Sequence, residues 1–543
     1  MTETRDPMAP DGDVNPIDTD YKVGQDNIIV NVGPFGLDIH NRVFAISGLL
    51  VVAFVVLTLA FQNQVEPLFT AMRGWLTSSL DWFFIIAGNI FVLVCLGLVV
   101  SPLGKVRLGG TEATPDYTYL GWFSMLFAAG MGIGLMFFGV SEPLSHFGSA
   151  FGGTAMENGV RTDWAPLGGA AGDAEAATRL AMAATIYHWA LHPWAIYAIL
   201  ALGLALFSFN KGLPLTVRSV FYPLLGERVW GWPGHVIDIL AVLATLFGLA
   251  TSLGYGAAQA SSGLNFLFDV PLGNTTQIVL VIGITAIALF SVVAGLDAGV
   301  KRLSQINMVL AVLLLVFVIA VGPTLDILSG FFGNLGAYFQ HLPALSNPVG
   351  RDDANFSQGW TAFYWAWWIS WSPFVGMFIA RVSRGRTVRE FIISVLIVPS
   401  LACVLWMTVF GETAIIQFVR DGYEAATQAE LPLQLFSMLD ALPLAQITSF
   451  IAIILVVVFF VTSSDSGSLV IDVIAAGGKV DAPTPQRVFW CVFEGLVAIA
   501  LILGGGLVAL QAMAVSTGLP FTIVLLMSTV AVIKGLMSEP RVR

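Results

Sequence analysis

Residues 359–378, GWTAFYWAWWISWSPFVGMF, hold Trp360, Trp365, Trp367, Trp368 and Trp371 together with Tyr364 in one hydrophobic run. On a helix, at about 100° per residue, Tyr364, Trp368 and Trp371 share one side, and Trp367 and Phe374 flank it. An interfacial belt would set one or two aromatics at each end of a membrane helix. Here they crowd its middle. Aromatic faces gathered in a dry cavity hold a quaternary ammonium by cation–π attraction, each worth roughly 2 kcal/mol when desolvated. The alternative is a bulky helix that only packs, and the run alone leaves both open.

Three further stretches carry polar or conformational features inside apolar sequence. FAAGMGIGLMFFGVSEP places Gly130, Gly132 and Gly134 at alternate positions. Three glycines so close weaken a helix by about 1 kcal/mol each and let the backbone unwind towards a ligand. A close helix contact through Gly130 and Gly134 explains the same spacing. No βαβ pattern surrounds these glycines, so they are not a dinucleotide fingerprint. IYHWALHPWAIY puts Trp189 and Tyr197 on either side of Pro193, which kinks a helix. His188 and His192 lack a third metal ligand nearby and are expected to bond neighbouring helices. FFVTSSDSGS offers the hydroxyls of Thr462, Ser463 and Ser464, which either bond back to their own helix or serve as hard ligands for sodium. Among the acidic residues Asp238, Glu142, Glu412 and Glu494, Glu494 alone reads as intramembrane and is a candidate for function or pairing.

Such elements need a bilayer around them. With 57% hydrophobic and 11% charged residues over 543, the chain reads as an all-α polytopic membrane protein, since a soluble domain carries about a quarter charged residues. Twelve apolar runs can cross about 30 Å of hydrocarbon: 43–62, 82–102, 117–140, 178–208, 236–268, 275–297, 303–328, 357–380, 388–411, 444–464, 486–504 and 510–534. The longer ones must tilt or bend. With the N-terminus inside, all but five of the 24 Lys and Arg residues fall on the cytoplasmic side. The exceptions are Arg73, Arg161, Arg179, Arg351 and Arg420, so both termini are expected in the cytoplasm. Residues 1–42 read as a disordered acidic tail without a signal-peptide core, 43–534 as the membrane domain, and 535–543 as a short cytoplasmic tail. Loops 141–177 and 412–443 are long, and 431–442 could lie on the membrane surface as an amphipathic helix. Cys95, Cys403 and Cys491 show neither disulfide nor zinc spacing. A net charge of −11 excludes a basic nucleic-acid surface.

The tryptophan run, continued as FIARVSRGRTVREF, and the segment AAGMGIGLMFFGVSEP resemble the betaine/carnitine/choline transporter family across all twelve spans. The resemblance implies a LeuT-like core of two five-helix inverted repeats, about 117–328 and 357–534, preceded by two extra helices. It implies a homotrimer in the bacterial inner membrane, in contact with lipid, and an onium substrate. It also implies an aromatic box of Trp189, Trp194, Tyr197, Trp367, Trp368 and Trp371, with Trp367 guarding the cytoplasmic path. Gly130, Met131, Gly132 and Gly134 would face the substrate carboxylate. A sodium site would use Ala128, Met131, Phe459, Thr462 and Ser463, with sodium as coupling ion and no other cofactor. A second sodium site near Thr245 and Phe374 departs from the family. Family members that couple to sodium carry two threonines one turn apart, whereas ATLFGLATS has Thr245 followed by Leu249. Thr251 and Ser252 are the neighbours that could compensate.

The resemblance implies a secondary active importer of glycine betaine or dimethylsulfoniopropionate, coupled to sodium. A proton-coupled or exchange carrier for choline or carnitine is the alternative. A channel would need a polar pore that the spans do not supply. An enzyme would need a catalytic motif, and no HExxH or GxSxG occurs in the spans. The long charged tail of osmosensing relatives has no counterpart after Lys534, so gradients rather than osmotic activation are expected to set transport.

Overall fold

The computed structural model describes residues 9–32, 35–130, 132–153, 156–157, 160–161, 169–294, 297–351 and 353–542. Its frame is helical. Two helices come first, α1 (Val43–Ala60) and α2 (Gln62–Val100). The third apolar run is divided into α3 (Tyr119–Gly130) and α4 (Ile133–Gly152), and the fourth into α5 (Ala174–Trp189) and α6 (Leu191–Ala205). A short α7 (Tyr222–Leu225) leads to α8 (Trp232–Phe268), α9 (Asn274–Ala294), α10 (Asp297–Val321) and α11 (Thr324–Leu345). The tryptophan run forms α12 (Ala362–Val382), followed by α13 (Val388–Met407), α14 (Thr413–Asp421), α15 (Ala425–Gln428) and α16 (Gln434–Asp440). The long helices α17 (Ala445–Ala475), α18 (Thr484–Leu503) and α19 (Gly506–Met537) complete the bundle. α12 packs chiefly on α6, α17 on α8, and α19 on α2, α8 and α12.

Among the described residues, ten helices are long and apolar enough to cross a membrane. They become eleven when α3 and α4, bent 63° against each other, count as one broken span. α12 is absent from that set. Its tryptophans, tyrosine and serines lower its mean hydropathy, although residues 362–370 are all buried. Length and apolarity alone therefore do not reach the expected twelve.

Two proline kinks shape the site, and in both the carbonyl they orphan is taken by a neighbouring side chain. Pro193 cannot donate to the Trp189 carbonyl four residues back, and the Trp194 indole N–H takes that oxygen at 3.2 Å. Pro373 likewise leaves the Ile369 carbonyl to the Ser372 hydroxyl, at 2.7 Å.

The structure corrects three expectations. The disordered segment expected through residue 42 is not seen from residue 9 onward. Residues 27–32 and 35–40 pair as an antiparallel hairpin, and the segment is tied to the bundle through Asp11 on Arg384, Asn15 on Ser538 and Asn27 on Ala476. The surface helix expected at 431–442 is the shorter α16, whose residues 434–439 are buried against the protein. Finally, α11 begins at the end of the seventh apolar run and continues through 329–345, to which no span is assigned. It is held by Asn334, which donates to Glu412 at 2.9 Å and, from the same nitrogen, to Thr408 at 3.1 Å.

Candidate functional site: an aromatic cavity at the break in the third span

A cavity of about 250 Å³ lies where the break between α3 and α4 meets α5, α6, α12 and α17. Five of the six expected aromatics line it: Trp189, Tyr197, Trp367, Trp368 and Trp371. Trp368 is the hub. Its ring meets Trp189 edge-on at 5.4 Å and Tyr197 at 5.1 Å. Trp371 is anchored by its N–H on the Gly248 carbonyl, 2.8 Å away. That approach requires glycine, because a Cβ at 248 would lie 2.9 Å from the Trp371 ring. Trp367 donates to Ser252 Oγ at 3.2 Å. The Trp368 N–H is buried and has no partner among the described residues, which leaves one donor free on a ring that lines the cavity. Trp194 is not a lining residue. It stands behind Tyr197 and Trp368, and its N–H is spent on the kink.

The glycines divide by role. A Cβ at Gly134 would lie 2.8 Å from the Trp189 ring and 3.2 Å from that of Trp367, so this position lets α4 approach the box. Gly130 meets Trp194 in the same way at 3.2 Å, whereas a Cβ at Gly132 would meet nothing within 4 Å. All three line the cavity. Met131 lies outside the described residues.

The residues expected to hold sodium fall on the same cavity. Ala128, Phe459, Thr462 and Ser463 all line it. Thr462 Oγ1 bonds back to the Val458 carbonyl at 3.0 Å, a bond that leaves a lone pair for an ion. At the second site Phe374 lines the cavity and Thr245 does not. Thr245 is buried and donates to the Ala241 carbonyl at 2.7 Å. Thr251 donates to Phe247 and Leu510 carbonyls, and of the two neighbours only Ser252 reaches the cavity.

The histidines bond neighbouring helices, as expected. His192 Nε2 lies 3.0 Å from Asn89 Oδ1, and His188 contacts Glu142 and Thr361. Sequence reasoning placed Glu142 at the edge of a span; the structure buries it fully in α4 beside Trp189, Tyr364, His146 and His188. Glu142, His146 and His188 hold three potential metal-ligand atoms within 4.8 Å, and the hydrogen bonds among them account for that closeness. Phe138, Glu142 and His146 recur every fourth residue along one face of α4, a signal that was available in the sequence. Glu494 is fully buried, and neither oxygen has a hydrogen-bond partner among the described residues.

Comparison with known proteins fits this geometry. The profile of the betaine/carnitine/choline family transporters matches residues 42–541. A glycine betaine/proline/choline transporter of Vibrio parahaemolyticus is 75% identical, over 98% of this chain and 96% of that protein. Glycine betaine transporter 1 of the same organism is 55% identical, over 96% and 97% respectively. A glycine betaine/proline/choline/ectoine transporter, also from that organism, is 51% identical, over 96% and 91%. The chain is a multi-pass membrane transporter, not an enzyme, and belongs to the betaine/carnitine/choline transporter family.

Proposed function

We propose that the chain is a secondary active importer of glycine betaine, with dimethylsulfoniopropionate, choline and proline as further substrates, driven by a sodium gradient. One observation carries the reading: Trp189, Tyr197, Trp368 and Trp371 share a cavity with Gly130, Gly132 and Gly134 and with Thr462 and Ser463. The rings suit an onium head, which sulfonium and ammonium present alike. The glycine backbone at the junction of α3 and α4 suits a carboxylate, which favours betaine over choline. Sodium bound at Ala128, Met131, Phe459, Thr462 and Ser463 would stiffen the break beside the substrate and so couple the two ligands. Leu249 in place of a hydroxyl leaves one sodium per cycle.

In this reading α12 completes twelve spans, arranged as two inverted repeats after α1 and α2. The protomer forms a homotrimer in the lipid of the bacterial inner membrane, with both termini cytoplasmic. The cavity runs from the box to Phe378, which is 39% exposed near the basic end of α12 at Arg381. Trp360 and Tyr364, earlier in the run, do not line it, and neither does Glu142. That contrast supports an inward-facing state of an alternating-access cycle. The packing at Leu249 keeps one second reading, a proton-coupled or exchange carrier for choline or carnitine.

The experiment is uptake of labelled glycine betaine into proteoliposomes, with unlabelled dimethylsulfoniopropionate, choline, proline and carnitine as competitors. Accumulation under an inward sodium gradient, with a Hill coefficient near one, is expected. Accumulation under a proton gradient alone would select the second reading.

A further inference from the structure

One carboxylate stands behind the aromatic box. Glu142 Oε2 accepts the Trp189 indole N–H at 2.7 Å and the Tyr364 hydroxyl at 2.5 Å. Its Oε1 lies 2.6 Å from His188 Nδ1 and 3.2 Å from His146 Nε2. His188 Nε2 in turn lies 2.9 Å from Thr361 Oγ1. One set of tautomers satisfies every contact. His188 carries its proton on Nδ1 and gives it to Glu142, His146 donates from Nε2, and the Thr361 hydroxyl donates to His188 Nε2. Both imidazoles are then neutral, and Glu142 is the acceptor in all four of its bonds. Among the described residues no Lys or Arg pairs with it, its ion-pair contacts being the two imidazoles.

This arrangement acts on the box in two ways. The bond from Glu142 fixes the indole of Trp189, which meets Trp368 edge-on. Donation of the N–H to an anion also pushes electron density into the indole ring and deepens the negative face that a cation meets. The carboxylate adds a fixed negative charge in a low-dielectric setting, where it is weakly screened. We infer that Glu142 is a positioning residue of the onium site, whose carboxylate locks Trp189 and Tyr364 and selects a positively charged head group over a neutral one of the same shape. The inference rests on the cavity being the onium site.

The test uses purified full-length protein and two ligands of one shape. Glycine betaine carries the trimethylammonium head, and 3,3-dimethylbutanoate replaces it with a neutral tert-butyl group. Binding is read by tryptophan fluorescence and by calorimetry. Glu142→Gln is expected to raise the betaine Kd about tenfold, or about 1.4 kcal/mol, and to leave the 3,3-dimethylbutanoate Kd and the bound stoichiometry unchanged. Glu142→Asp, which keeps the charge, is expected to recover part of the preference. Trp189→Phe keeps a ring but cannot donate to Glu142, and it is expected to raise the betaine Kd about fivefold. Combined with Glu142→Gln, it should cost less than the sum of the two changes. Betaine affinity in Glu142→Gln equal to the unaltered protein's, equal losses for both ligands, or strict additivity would each overturn the inference. If Glu142→Gln does not fold, wild-type betaine affinity in Trp189→Phe overturns it. Failure of the unaltered protein to bind betaine would sink the onium reading itself, and this inference with it.

Discussion

α8 and α17 both carry hydroxyls among apolar residues, and their surroundings make them different. On α17, Thr462 and Ser463 line the cavity beside Phe459. On α8, Thr245 is buried, bonded to its own helix and away from the cavity. Where a second hydroxyl would complete an oxygen shell, Leu249 is fully buried against Gly467 of α17. A Cβ at Gly467 would lie 2.3 Å from a Leu249 methyl. The helix that presents hydroxyls to the cavity on one turn is sealed by a leucine on another. What separates the two regions is what the facing helix leaves open, since both contain threonine.

The largest effect should come from the open side. Trp371→Ala and Trp368→Leu each remove a ring worth roughly 2 kcal/mol to a desolvated cation, about a 30-fold loss of affinity. Uptake should fall close to background while membrane insertion, read by surface labelling, stays normal. Wild-type rates in either variant would remove the box from the account.

Thr462→Ala comes next. Losing one oxygen ligand is worth about 1 kcal/mol, so the sodium concentration for half-maximal uptake should rise about fivefold, with betaine affinity at saturating sodium little changed. An unaltered sodium curve would mean that the α17 hydroxyls do not bind the ion.

Leu249→Thr sharpens the contrast by reopening the sealed side. It removes buried methyl contacts at a cost of about 2 kcal/mol, visible as a lower melting temperature. If the leucine is what closes the second site, the Hill coefficient for sodium should rise above one. Thr245→Ala is the smallest change expected. Its hydroxyl serves its own helix, so sodium dependence should shift less than twofold; a larger shift would make Thr245 a ligand after all.

The aromatic run and the alternate glycines were legible because each is local: ring spacing and missing Cβ atoms act over a few residues. What stayed hidden depends on distant partners. Glu142 meets Trp189 and Tyr364, 47 and 222 residues away, so the local pairing with His146 one turn on hints at a buried face but does not show what the carboxylate holds. Trp194 looked like its neighbours, but the carbonyl freed by Pro193 claims its N–H. α11 escaped because a helix held by a polar residue, Asn334, on Glu412 and Thr408 need not be apolar enough to span. The N-terminal segment is polar, and its order comes from partners such as Arg384, Ser538 and Ala476 rather than from a core of its own.

The most direct measurement of the central claim is betaine accumulation in proteoliposomes as internal and external sodium are varied at constant pH and membrane potential. The account predicts uphill accumulation that follows the sodium gradient with a coefficient of one and disappears when the gradient is collapsed. Accumulation that ignores sodium and follows the proton gradient, or counterflow alone, would contradict it.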